Sequence, residues 1–172
     1  MGRMRYAPLF LIIGILTASL AGAGTPALRP PVQKADLIIV LKHKRQLYLV
    51  RDGRVLKRYP IALGLHPEGA KRWQGDGRTP EGHYVVDGRV PGSHYHLALH
   101  ISYPGPEDEA RAEVAHRSAG GDIMIHGMPN WYSELTMRMA PDWTSGCIAV
   151  TNDAMEEIWD TVDDGTPIEI RP

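Results

Sequence analysis

Fourteen prolines and eighteen glycines are spread along a chain of 172 residues. Proline removes a backbone donor and clashes with the preceding helical turn, and glycine weakens helices through its freedom in the unfolded state. A chain punctuated this densely has little room for long helices, so short strands, turns and short helices are expected. Its length fits one domain with an additional segment. Hydrophobic residues make up 43% and charged residues 23%, ordinary values for a chain that buries a core. Those values exclude a wholly disordered polymer, a collagen and a coiled coil. The formal net charge is −1, so nothing global points to nucleic acid as a partner.

The first 23 residues differ from the rest. Arg3 and Arg5 precede an apolar run from Ala7 to Leu20, and Ala21-Gly22-Ala23 follows. That order is the layout of a secretory signal peptide over residues 1–23, with cleavage expected after Ala23. A membrane anchor or a buried helix is the competing reading. Against it, the run contains Pro8 and Gly14 and is shorter than the ~20 residues of a spanning helix. Residues 24–35, rich in Pro and Gly, read as a linker, and 36–172 as one exported domain of the periplasm or cell envelope.

Within that domain, alternation and turn residues predict strands over Asp36–Leu41, Gln46–Val50, Val55–Ala62, Gly82–Val86, His94–Ile101, Asp122–His126 and Thr166–Ile170. Asp52-Gly53 marks a hairpin. Leu47 and Leu49 are expected on one face, with Tyr48 and Val50 on the other. Glu107–His116 reads as a short surface helix. Met155, Ile158, Trp159 and Val162 form the apolar stripe of a main C-terminal helix capped by Asn152 or Asp153, with capping-box spacing between Asp153 and Glu156. Gly165 ends it. The fold class is α+β and β-dominated.

Cys147 is the only cysteine. It can close no intramolecular disulfide and build no sulfur-rich zinc site. Export makes an unpaired thiol a hazard unless it is buried or used. It follows Gly146 in Thr144-Ser145-Gly146-Cys147-Ile148, where a sharp turn brings backbone amides near the sulfur. Such amides can hold the oxyanion of a tetrahedral intermediate. A nucleophilic thiol needs a base, and histidine is the usual one. His126 stands out among eight histidines because it ends an apolar strand and precedes Gly127. Trp131, Tyr132 and Trp143, between the two, suit a groove wall.

The order of histidine before cysteine argues against papain-like peptidases. Caspases place their histidine farther away and carry a different cysteine context. Sortases need an arginine soon after the cysteine, and here the only later one is Arg171. His94, His96 and His100 share one strand parity. They read as cleft- or solvent-facing side chains, with zinc binding as the competing reading. Arg78, Lys71 and Arg72 read as solvated charges. Gly75 and Gly77 are a weak phosphate-loop signal, because no Gly-Lys-Ser/Thr follows. No metal or cofactor is expected.

Four strings in order carry a family resemblance: Gly77-Arg78-Thr79-Pro80-Glu81-Gly82, Leu99-His100-Ile101-Ser102-Tyr103-Pro104, Ile123-Met124-Ile125-His126-Gly127 and Ser145-Gly146-Cys147-Ile148. With the opening hairpin, the chain from about residue 36 to 171 resembles the L,D-transpeptidase catalytic domain family (YkuD-like). The resemblance implies a mixed-sheet β-sandwich acting on peptidoglycan stem peptides in the bacterial envelope. It implies that Cys147 attacks the carbonyl of the third stem residue, with His126 as base, and expels D-alanine. An amine or water then resolves the acyl-enzyme. It further implies an oxyanion hole from the N–H groups of Gly146 and Cys147, with Ser145 and Gly127 shaping the site backbone. Its histidine is oriented by a backbone carbonyl or a small polar group, and Gly127 after His126 favours the carbonyl. Trp143, Tyr132 and Tyr103 are the candidates for substrate contact.

Two departures stand out. The family usually reads S-x-G-C-[IV]-R around the cysteine; here Thr144 replaces the serine and Ala149 the arginine. Thr144 keeps a hydroxyl, whereas Ala149 removes a cation that could bind a carboxylate or brace the site. Hydrolysis of a wall–peptide or wall–protein bond therefore stays open beside transfer. A catalytically idle domain that binds wall peptides is the reading of another class. The implied partners are peptidoglycan peptides, with peripheral envelope association, no nucleic acid and a monomeric chain.

Overall fold

The opening strand β1 (Leu37–Leu41) alternates half-buried residues with fully buried Ile38 and Val40, as a strand with one face on a core must. The structure, a computed structural model, describes residues 1–2, 32–131 and 142–172. Nearly all of the expected leader, most of the expected linker and Tyr132 lie outside the described residues. Among those described, no helix is long and apolar enough to cross a membrane.

After β1, the 3₁₀ turn Lys42–Lys44 leads into β2 (Gln46–Arg51) and, through Asp52-Gly53, β3 (Arg54–Pro60). Then come β4 (Gly82–Ser93), β5 (His96–Ile101), helix α1 (Pro106–Val114), β6 (Met124–His126), β7 (Ile148–Ala149), helix α2 (Asn152–Thr161) and β8 (Pro167–Arg171). The strands order as β3-β2-β1-β8-β4-β5-β6-β7 in an eight-stranded mixed sheet. β1 pairs parallel with β8 and β6 parallel with β7, while the other neighbours are antiparallel. The domain is strand-dominated, and residues from both ends of the sheet meet in one hydrophobic cluster.

β4 joins the two ends. Its first residues, Gly82–Val85, pair with β8, and the stretch from Val86 to Ser93 pairs with β5 across two register irregularities. The sequence predicts a strand only as far as Val86, with the next beginning at His94. The strand instead runs on to Ser93, since beyond Val85 it pairs only with β5 and the missing proline donor can face the unpaired side. The hairpin turn is His94-Tyr95. In β2, a register shift between Leu49 and Val50 buries Val50 as well as Leu47 and Leu49, so strict alternation fails there.

Helix α2 buries Met155 and Ile158 completely and packs against β5. Each such side chain contributes roughly 1.5–3 kcal/mol of apolar transfer. Its cap is Thr151, whose side-chain oxygen accepts from the Ala154 N–H at 3.3 Å, rather than Asn152 or Asp153. The helix ends at Thr161, with Val162 as its C-cap, ahead of Gly165. α1 begins after Gly105, whose N–H donates to Asp108 at 3.0 Å.

The loop between β3 and β4 is pinned by two buried lysines. Lys42 donates to the carbonyls of Gly69 (2.7 Å) and Thr79 (3.0 Å) and to Glu81 (2.7 Å). Lys71 pairs with Asp76 at 2.8 Å, both side chains 4% exposed. Lys71 is therefore a buried charge, contrary to the solvated one that the sequence suggests. A lysine goes inside only where a carboxylate and carbonyls replace its water.

Candidate active site

The short parallel pairing of β6 and β7 sets Ile125 beside Ile148 and His126 beside Ala149. It places His126 at the end of one strand and Cys147 just before the next. Both side chains line a cleft of about 320 Å³, together with Ser93, Tyr95, Asp122, Met124, Trp143, Thr144 and Ser145.

The turn before Cys147 is built around Gly146. Its φ is +136°, and a Cβ there would lie 2.6 Å from the carbonyl oxygen of Arg78, so only glycine fits. Thr144 closes the turn. Its hydroxyl oxygen accepts from the Gly146 N–H at 3.1 Å and donates to the Cys147 carbonyl at 2.8 Å. This gives the retained hydroxyl a physical role. The Gly146 N–H, which the resemblance implies for the oxyanion hole, is bonded to Thr144 in this structure.

The loop string from Gly77 to Gly82 braces this turn from behind. Arg78 supplies the carbonyl packed on Gly146, and buried Thr79 accepts from the Gly64 N–H at 3.1 Å. Ala149 is fully buried, exchanging backbone hydrogen bonds with Ala62 at 2.9 Å in each direction. No cation stands where the resembled motif carries arginine.

His126 is 4% exposed. Its Nδ1 lies 2.7 Å from the Gly127 carbonyl. A carbonyl only accepts, so Nδ1 carries the proton and Nε2 presents a lone pair. Gly127 must be glycine: a Cβ would meet Asn152 Oδ1 at 2.6 Å and the Tyr95 carbonyl at 2.9 Å. Two aromatic rings lie against the imidazole, Tyr95 at 4.5 Å and Trp143 at 5.7 Å between centroids. Burial pushes its pKa below the ordinary value, partly offset by the bond to Gly127.

The Cys147 thiol donates to the Asp122 carbonyl at 3.4 Å rather than to the imidazole. Burial pushes its pKa up, opposed by the Met124 backbone and the Lys71 charge, while Asp122 adds to the rise. A raised thiol and a lowered imidazole both favour their uncharged forms. Such a pair is activated by proton transfer during attack rather than by a standing thiolate.

Of the residues singled out from sequence, Cys147, His126, Ser145 and Trp143 come together, with Gly146 and Gly127 shaping the backbone. Tyr103 does not join them. It is 3% exposed, donates to the Ala119 carbonyl at 3.0 Å and packs on Tyr84, so its place is in the core. Trp131 is exposed and outside the cleft lining. His96 pairs with Glu156 at 3.0 Å and His100 with Asp87 at 2.5 Å. Among the described residues, no three metal-ligating side chains converge. Sequence reasoning missed Tyr95 and Asp122. The hairpin turn could have pointed to Tyr95, since a turn beside the end of β6 overhangs the site.

The model of the YkuD family, the L,D-transpeptidase catalytic domain, matches residues 35–170. A putative L,D-transpeptidase of Escherichia coli K12, YafK, is 33% identical over 132 residues, covering 73% of this chain and 46% of that protein. The helical cell shape determining protein Pgp2 of Campylobacter jejuni superposes with a TM-score of 0.61 at 28% identity, over 78% of this chain and 46% of that one. An L,D-transpeptidase fragment from Xylanimonas cellulosilytica shares the fold, with a TM-score of 0.54 at 19% identity, over 83% of this chain and 63% of that one. The chain thus spans about half the length of the curated relative that it matches.

Proposed function

This chain belongs to the L,D-transpeptidase catalytic domain (YkuD) family, and from that premise we propose that it is an exported, cysteine-dependent enzyme of peptidoglycan. The observation that carries the proposal is the meeting of His126 and Cys147 at adjacent strand ends in one cleft. In this reading the thiol turns from the Asp122 carbonyl to His126, and Sγ attacks the carbonyl of the third residue of a stem tetrapeptide. Its proton passes to Nε2 as the C–S bond forms, and the Cys147 N–H supports the oxyanion. Collapse of the intermediate breaks the peptide bond, and Nε2 returns the proton to the departing D-alanine amine. An acceptor amine then attacks the thioester and gives its proton to Nε2; the C–S bond breaks, and Nε2 passes that proton to the departing Cys147 sulfur. Residues 1–23 act as the signal peptide and 24–35 as a linker, placing domain 36–172 in the periplasm or envelope. Pgp2 is by name a determinant of helical cell shape, which supports a role in wall architecture.

Buried Ala149 favours a second reading, in which water replaces the amine and the enzyme trims or releases wall-attached peptide. A muropeptide carrying a tetrapeptide stem separates these. The expected result is a covalent adduct on the intact protein with release of D-alanine, both absent in Cys147→Ala. Crosslinked dimers indicate transfer, and trimmed tripeptides indicate hydrolysis. A wild-type protein giving neither adduct nor D-alanine overturns both and leaves a peptide-binding domain.

A further inference from the structure

Asp122 is an exposed residue of the cleft lining whose carbonyl faces the thiol. Its backbone takes a left-handed conformation, φ +55°. Its carboxylate makes no hydrogen bond or ion pair with any described residue, although it lies close enough to the sulfur to oppose thiolate formation. Asp142, the neighbour of Trp143, provides the contrast. Arg45 holds it at 2.7 Å and the Leu63 N–H at 2.9 Å, so that acid is fully committed.

The charge around the cleft is one-sided. None of the described side chains in its lining carries a fixed positive charge. Lys71, whose charge reaches the sulfur, is held by Asp76 and by the Trp73 carbonyl. Tyr95 and Trp143 add aromatic surface to the same cleft, and aromatic faces attract cations. A carboxylate with no side-chain partner among the described residues, beside aromatic rings and with no competing cation in the described lining, suits a ligand that brings its own positive charge.

We propose that Asp122 makes this cleft a subsite for a protonated primary amine carried by the peptide substrate, and so a determinant of which peptides the enzyme accepts. The catalytic meaning of the subsite rests on the acyl-enzyme reading above, but its binding does not. Two sources share the chemistry: the side-chain amine of the acyl donor's third residue, or a side-chain amine of the acceptor. A carboxylate–ammonium contact that is partly open to water changes affinity by about 1.5- to 5-fold.

The test uses the full chain in a Cys147→Ala background. Calorimetry compares a tetrapeptide bearing lysine at its third position with the same peptide acetylated on that side chain. It likewise compares D-lysine with D-norleucine as acceptor mimics. A preference for the amine in the first pair places the subsite on the donor side, and in the second pair on the acceptor side. In either case Asp122→Asn brings the ratio close to one, and Asp122→Glu restores part of it. Because the readout is a ratio within each variant, a change in folding does not mimic it. Equal binding within both pairs overturns the proposal, as does a preference that survives Asp122→Asn. Amine-selective binding in Cys147→Ala, with wild-type protein forming no adduct with either peptide, retains the subsite and removes the acyl-enzyme reading. A wild-type adduct without amine selectivity in any pair does the reverse.

Discussion

His126 and Cys147 share a cleft but are held in different ways. The imidazole is nearly fully buried, anchored at Nδ1 by a 2.7 Å bond and packed against two aromatic rings. The thiol is half-buried and donates a long bond to the Asp122 carbonyl. Its backbone is fixed by the turn that Thr144 and Gly146 form. The difference separates two requirements of acyl transfer. A base that accepts and returns a proton needs one tautomer and one direction. A nucleophile that attacks, stays acylated and is released needs a fixed backbone with a mobile tip.

The largest test of this contrast removes the base. His126→Ala should slow adduct formation by about 10²- to 10⁴-fold, read as intact mass against time, while leaving the thiol open to small alkylating reagents. Equal rates in variant and wild type would break the assignment.

Gly127→Ala tests the anchor rather than the base. The added methyl would meet Asn152 Oδ1 at 2.6 Å, and overpacking of this kind costs roughly 1–3 kcal/mol. The expected outcome is a lower unfolding midpoint in urea together with slower acylation, because the carbonyl holding Nδ1 must shift. A loss of stability with unchanged acylation would show that the anchor does not set the direction of the imidazole.

On the nucleophile's side, Thr144→Val leaves the buried Gly146 N–H without its acceptor. An unsatisfied buried donor costs about 1–3 kcal/mol, and Thr144→Ser should recover most of it. Denaturant unfolding of the three proteins measures this.

The smallest expected effect concerns pH. Burial lowers the His126 pKa below 6.5, so the unfolded chain binds that proton more tightly than the folded one. The resulting contribution to stability is complete above pH 6.5 and is lost as pH falls through the folded value. The acid limb of the acylation rate should accordingly lie below pH 6.5. Because burial raises the thiol, its alkylation by iodoacetamide should still be accelerating above pH 9. Rapid alkylation at pH 6 would indicate a thiolate–imidazolium pair and overturn the neutral resting state.

Much of this architecture is legible in local pattern. Ile38 and Val40 alternate with half-buried neighbours, Asp52-Gly53 turns between β2 and β3, and the Met155–Ile158 stripe faces the core. Each is a case where nearest-neighbour chemistry decides. The continuation of β4 past Pro91-Gly92 was not legible, because whether a proline breaks a strand depends on which edge is paired. Lys71 was misread because a buried lysine looks like a surface one until Asp76 is found beside it. Tyr103 sits in a motif string that resembles a family's site region, yet its ring fills the core, since adjacency in sequence does not fix the side of a strand end that a side chain takes.

The sequence alone determined that this chain builds a strand-rich domain, that its lone thiol follows a glycine turn, and that a histidine-glycine pair ends a short apolar strand. Short-range rules govern each of these: turn propensity, alternation and the chemistry of residue types. Only the tertiary structure decided that the Thr144 hydroxyl takes the Gly146 N–H and that Tyr95 and Asp122 join the cleft. Those outcomes depend on hydrogen bonds and contacts that form once strands pair in register. Pairing partners distant in sequence leave no trace in the residues on either side of them.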